Sequence, residues 1–166
     1  MFKEMKVSGL TMDPFTNTPI IILKDLEGKS VLPIWIGLLE ASAIATELEN
    51  IQLPRPMTHD LVRNILDNLK VEVRKVEVVD LKDNTFFASL HLNISQKTIV
   101  IDARPSDAIA IALRTKAPIF VNEKVIEKSR KMSLEKFKTE EGKTDSDKWK
   151  EILETMSPED FGKYKM

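Results

Sequence analysis

Residues 3–45 recur 67 positions further along the chain without a gap. Asp13 to Thr18 falls on Asp80 to Thr85, keeping the aspartate, asparagine and threonine. Lys3 falls on Lys70, Leu23 on Leu90 and Ile34 on Ile101. Glu40-Ala-Ser-Ala-Ile-Ala45 falls on Asp107-Ala-Ile-Ala-Ile-Ala112, and ten positions in all are identical. Self-similarity at a fixed shift marks a duplicated structural unit. Neither half can then be read as an independent design: what one copy folds into, the other should fold into as well.

Each copy reads as three strands and a helix. In the first, strands are expected over Lys3–Asp13, Pro19–Leu26 and Val31–Ile36, with Glu27-Gly28-Lys29-Ser30 as a turn. Gly37 opens a helix over Leu38–Glu49, whose Ala and Leu spacing gives one apolar face. In the second, Val71–Leu81 and Thr85–Ile94 form a hairpin around Lys82-Asp83-Asn84, followed by a strand over Thr98–Ala103 and a helix over Pro105–Thr115. Between the copies, Thr58 is the expected N-cap of a helix reaching Leu69, with Asp60 in its first turn. Pro118–Val121 and a short helix near Val125–Arg130 follow the second copy. The expected fold is therefore α+β, a duplicated βββα unit with mixed or antiparallel sheets packed against helices. Its domain spans residues 1–132, with the repeats at 3–49 and 70–116. A polar linker from Thr139 and a helix over Lys148–Met156 belong to a tail at 133–166.

The 42 % apolar content is enough for a buried core, and the absence of cysteine excludes disulfides and thiolate metal sites. Met1–Val7 is charged and lacks the apolar segment of a secretory signal, and no run approaches the roughly 20 apolar residues of a membrane span. A cytoplasmic protein without membrane contact is expected. Edge strands left by a duplicated sheet need cover, so a homo-oligomer, a dimer above all, is expected too. Basic and acidic residues number 25 and 26. Phosphate binding by such a near-neutral chain requires a local basic patch or metal ions.

Three stretches carry a family resemblance: Pro33-Ile-Trp-Ile-Gly37 with Glu40-Ala41, Arg55-Pro-Met-Thr-His-Asp-Leu61, and Asp102-Ala-Arg-Pro-Ser-Asp-Ala-Ile-Ala110. Together, over about residues 1–130, they resemble the bifunctional nuclease domain, and Pro158-Glu-Asp-Phe-Gly162 is similar to the tail of its bacterial members. The resemblance implies hydrolysis of phosphodiester bonds in both DNA and RNA, with nucleic acid as partner. No motif of the UvrB/UvrC type, which ends some longer relatives, is seen.

Phosphodiester cleavage needs an activated nucleophile and charge neutralisation. Divalent ions held by carboxylates can supply both, and so can His, Lys and Arg side chains. Glu40, Asp60, Asp102 and Asp107 are the acidic candidates. Glu40, Asp102 and Asp107 are the expected ligands of a Mg²⁺ or Mn²⁺ ion, and the repeat places Glu40 and Asp107 at equivalent helix starts. The competing role for all of them is helix stabilisation. His59 is the candidate base or ligand, and Asp60, Glu40 and Asp107 complete the catalytic set. Arg55 and Arg104, each before a proline at a helix start, are candidate phosphate contacts, or else partners of nearby carboxylates such as Asp60 and Asp107. His91 reads as an ordinary sheet residue and Trp35 as core. No P-loop, Rossmann fingerprint, HExxH or nucleophile elbow is present. The alternative function is a non-catalytic module binding a ligand or protein, with the same residues holding the fold.

Overall fold

A computed structural model describes residues 1–140. The first copy forms β1 (Phe2–Met12), β2 (Pro19–Asp25), β3 (Val31–Trp35) and α1 (Leu38–Leu48). After α2 (Thr58–Asn68), the second forms β4 (Glu72–Lys82), β5 (Thr85–Ile94), β6 (Lys97–Ala103) and α3 (Pro105–Thr115). β7 (Ile119–Asn122) and α4 (Glu123–Glu140) follow. The order βββα thus recurs, and Leu38–Leu48 shifted by 67 positions lands on Pro105–Thr115. The helix register of the duplication is kept to the residue.

The strands form one seven-stranded sheet in the order β3-β2-β1-β7-β4-β5-β6. Separate sheets for the two copies, the expectation from duplication, are replaced by this single sheet. β7 is the reason: it pairs antiparallel with β1 (Lys3 opposite Val121) and parallel with β4 (Val76 opposite Ile119), so the inner edges of both copies are satisfied by one short strand. Ile119 and Val121 face the core, and Phe120 faces the other side. The β4–β5 and β5–β6 turns are two-residue loops, Asp83-Asn84 and Ser95-Gln96, with positive φ at all four residues. That is the backbone twist two-residue hairpins favour.

One continuous core lies between the sheet and the helices. It takes Leu10, Ile21, Leu23 and Ile34 from the first copy, Val76, Val78, Ala88 and Leu90 from the second, and Val121, Val125 and Ile126 after it. Ala41 and Ala45 of α1 and Ala108 and Ala112 of α3 are all buried, and these small side chains let the two helices pack closely. α4 is longer than the short helix expected. Its Lys128 Nζ donates to Asp80 Oδ1 (2.8 Å) and to the Leu81 carbonyl (3.2 Å), tying α4 to β4.

The Lys128 hydrogen bond, helped by the Leu81 N–H, holds the Asp80 carboxyl down at about 2. A depressed carboxylate contributes its stability above its unfolded value of about 3.9 and loses it as pH falls through the folded value. Acidification from pH 4 to 2 is therefore expected to accelerate amide exchange in the first turns of α4 before the central strands respond. The polar stretch expected as a linker from Thr139 begins inside α4. The remainder of it, the helix expected over Lys148–Met156 and the closing segment lie outside the described residues. Among the described residues no helix is long and apolar enough to cross a membrane.

Candidate active site at three helix starts

α1, α2 and α3 each carry an acid as their third residue: Glu40, Asp60 and Asp107. A carboxylate there meets the unpaired N–H groups and the positive end of the helix dipole. The N-caps are Gly37, Met57 and Arg104. Thr58, the cap expected from sequence, is instead the first helical residue. The work of capping falls to Asp60, whose Oδ2 accepts from the Met57 N–H at 3.0 Å.

Two of the three acids meet at one cation. Arg104 donates from Nε to Asp107 Oδ2 (2.8 Å) and from Nη1 to Glu40 Oε1 (2.7 Å). The equivalence of Glu40 and Asp107 under the repeat thus becomes a physical neighbourhood. The other Asp107 oxygen accepts from His59 Nε2 at 2.9 Å. An ionised carboxylate can only accept, so Nε2 carries a proton, and in the neutral ring Nδ1 is then the acceptor. The His59 side chain is only 14 % exposed and that of Arg104 64 %. The imidazole is thus sheltered while the guanidinium faces solvent.

Burial pushes the Asp107 carboxyl up, but the hydrogen bonds from Arg104 and His59 outweigh it and hold the group below the usual carboxylate range. The same contacts, with Asp107 and then Glu40, raise Arg104 above its ordinary value. The cluster is a chain of charge-assisted hydrogen bonds running Glu40–Arg104–Asp107–His59 across the starts of all three helices.

Gly37 makes room for it. A Cβ there would overlap the Glu40 carboxylate, although φ at Gly37 is −73° and any residue could adopt it. Gly37→Ala is expected to swing Glu40 away from Arg104 while costing at most about 1 kcal/mol, since the pair is partly exposed. A double-mutant cycle on Glu40 and Arg104 checks this: the coupling should be measurable with Gly37 and vanish with alanine.

The other candidates fall elsewhere. Asp60 turns to Arg114, whose Nε donates to Asp60 Oδ1 at 2.8 Å. Arg114 also donates to the Ala110 carbonyl (3.0 Å) and to the Ala43 carbonyl (2.8 Å). With its side chain 2 % exposed, it is a buried staple of α1, α2 and α3, which sequence reasoning missed. Arg55 lies on the loop before α2 and lines a shallow depression of about 360 Å³ together with Glu47, Asp60 and Arg63. Asp102 sits opposite Ser89 in the β5–β6 ladder, so it lies on the sheet face away from the core residues Ala88 and Leu90. It is not brought to Glu40 and Asp107, and among the described residues no three His, Asp or Glu side chains form a metal-holding group. Between Glu40 and Asp107 the guanidinium of Arg104 takes the place a cation would need.

Trp35, expected in the core, is about a third exposed on edge strand β3, and its Nε1 donates to Asp13 Oδ2 at 2.9 Å. His91 stands in the sheet, where its Nε2 lies 2.8 Å from Glu77 Oε2, and Glu77 is also bridged by Lys75.

Fold and cluster define an α+β protein in which a histidine, an arginine and two carboxylates meet at helix starts. The sequence family described as the bifunctional nuclease domain matches residues 21–133. An uncharacterized protein of Mycobacterium tuberculosis strain H37Rv is 40 % identical over 162 residues, 95 % of this chain and 97 % of that protein. Bifunctional nuclease 1 of Arabidopsis thaliana is 35 % identical over 108 residues, and Bifunctional nuclease 1 of Oryza sativa subsp. japonica 32 % over 109. In both cases 63 % of this chain and 33 % of the plant protein are covered. The chain belongs to the bifunctional nuclease domain family.

Proposed function

We propose that the protein is a nuclease that hydrolyses phosphodiester bonds of DNA and RNA with low sequence specificity, and that it does so at the junction of α1, α2 and α3. The observation that carries this reading is the Asp107–His59 hydrogen bond of 2.9 Å beside the exposed guanidinium of Arg104. A carboxylate that fixes one imidazole nitrogen as donor leaves the other as a base. DNA lacks a 2′-hydroxyl, so a mechanism shared by both polymers does not rely on one, and water is the nucleophile in this reading. His59 Nδ1 takes a proton from that water. The water oxygen bonds to phosphorus as the bond to the departing sugar oxygen breaks, and that oxygen is protonated from solvent. Arg104 spends Nε and Nη1 on Asp107 and Glu40, which leaves Nη2 for a phosphate oxygen. Arg55, on its exposed loop, serves a neighbouring phosphate. Contacts to phosphate carry no base information, which accounts for low specificity.

A Mg²⁺ or Mn²⁺ ion on Glu40, Asp102 and Asp107 does not fit this arrangement, because Asp102 is on the wrong sheet face and Arg104 already bridges the other two. The chain's own groups, His59, Arg104 and Arg55, therefore carry the reaction.

One observation favours a second reading, a non-catalytic module for a ligand or protein. Glu40, Arg104, Asp107 and His59 satisfy one another, and the same bonds would hold three helices together without any chemistry. Incubating the purified protein with single-stranded RNA and DNA in Mg²⁺, in Mn²⁺ and in EDTA separates the readings. Cleavage of both polymers that persists in EDTA is expected. Cleavage only with metal would return the ion to the mechanism, and no cleavage in any arm would leave the binding module.

A further inference from the structure

The two edges of the sheet are built differently. The first copy ends on β3, five residues long with Pro33 at its centre. A proline has no N–H to offer a further strand, one of the devices by which edges are kept from pairing. The second copy ends on β6, seven residues long, and the position 67 after Pro33 is Val100. Ile99, Val100 and Ile101 are 43 %, 57 % and 43 % exposed. They alternate across the sheet, so β6 is uncovered on both faces, and its ladder with β5 runs without a bulge.

The hairpin fixes which backbone groups of β6 point outward. Ile94 and Lys97 close the two-residue Ser95-Gln96 turn and form a hydrogen-bonded pair. Alternation then makes Ile99 and Ile101 hydrogen-bonded to β5. The N–H and C=O groups of Thr98, Val100 and Asp102 are left facing away from the sheet.

We propose that β6 is the interface of a symmetric homodimer, pairing antiparallel with β6 of a second copy about a twofold axis at Val100. In this register Val100 meets its own copy, and Thr98 and Asp102 of one chain meet Asp102 and Thr98 of the other. These are the residues whose backbone groups face outward, so all of them are satisfied at once. Ile99 and Ile101 pair with Ile101 and Ile99 across the axis on the helix-covered face, extending the core. On the opposite face the Thr98 hydroxyl donates to the Asp102 carboxylate. Neither side chain takes part in a hydrogen bond or ion pair among the described residues, and such cross-strand pairs stabilise sheets. The strand is thus complementary to its own reversed sequence, which points to a second copy rather than an unrelated peptide. With the β3 edge blocked by Pro33, association closes at two chains.

Light scattering at micromolar concentration tests this, together with amide exchange. The wild type is expected at twice the 18.9 kDa chain mass, with the Thr98, Val100 and Asp102 amides exchanging at least tenfold more slowly than in a monomeric variant. Val100→Pro removes an outward N–H and leaves the β5 ladder intact; it is expected to give a folded monomer. Ile101→Lys, which keeps every backbone group and changes one exposed side chain, is expected to do the same, with circular dichroism confirming the fold of both. A wild-type monomer would overturn the proposal. So would a dimer that survives both substitutions. A monomer whose three amides are nevertheless protected would also overturn it, and would assign the edge to residues 141–166 of the same chain.

Discussion

His59→Ala is expected to lower cleavage of single-stranded RNA and DNA by about 10²- to 10⁴-fold, the usual contribution of a positioned base. Its melting temperature should fall by no more than about 2–4 °C, the equivalent of one hydrogen bond of about 1 kcal/mol in a chain of this size. Asp107→Asn is the companion change. It keeps the shape of the side chain but removes the charge that Arg104 and His59 both contact, and with it the fixed tautomer of the imidazole. A comparable loss of rate is expected. If both variants cleave normally, or lose activity only in proportion to lost stability, the helix junction is not the catalytic site.

The largest effect on stability is expected at Asp60 and Arg114. The Arg114 side chain is 2 % exposed and its only anionic partner among the described residues is Asp60. Removing one member of such a pair leaves an uncompensated buried charge, at a cost of about 3–5 kcal/mol. Asp60→Ala is therefore expected to lower the melting temperature by roughly 10 °C. Replacing both together, as Asp60→Leu with Arg114→Met, should recover much of the loss.

The acid dependence gives a second handle on the pair. Burial pushes the Asp60 carboxyl up, but the bonds from Arg114 and the Met57 N–H outweigh it and hold it below the usual range. Its contribution is present above the unfolded value of about 3.9 and lost as pH falls through the lower folded value. Asp60→Asn should be destabilised at neutral pH and lose less than the wild type on acidification below pH 4. An equal loss of unfolding free energy in the two proteins between pH 4 and pH 2.5, measured by urea titration, would contradict this account of Asp60.

Local signals made most of the elements legible. Pro105 after Arg104 set the start of α3 to the residue, because proline suits the first helical position and nothing deeper. The repeat then transferred the same boundary to α1. It also placed Glu40 and Asp107 at matching helix starts, and their meeting at Arg104 follows from that symmetry. What the sequence hid were partnerships of long range. Arg114 lies 54 positions from Asp60 and stands in an Ala- and Ile-rich helix, where it reads as an ordinary last-turn cation. Asp102 reads as part of one motif with Asp107. The strand period turns it to the opposite side of the sheet, and only the pairing of β6 with β5 reveals that. β7 is four residues long and gives no local hint that it joins the two copies. Met57 carries none of the usual capping side chains, so the sequence places the cap of α2 one residue late, at Thr58, although the helix itself starts at Thr58 as expected.

Most directly at stake is whether nucleic acid binds where α1, α2 and α3 begin. The chain has two histidines, and they lie in separate environments, His59 against Asp107 and His91 against Glu77. Proton NMR of the two imidazoles during titration with a phosphorothioate single-stranded oligonucleotide, which resists cleavage, therefore reports on each place separately. A saturable shift of the His59 signals with no change at His91 is expected, and loss of that shift in Arg104→Ala. Binding that leaves His59 unmoved, or that moves His91 instead, would contradict a site where these helices begin.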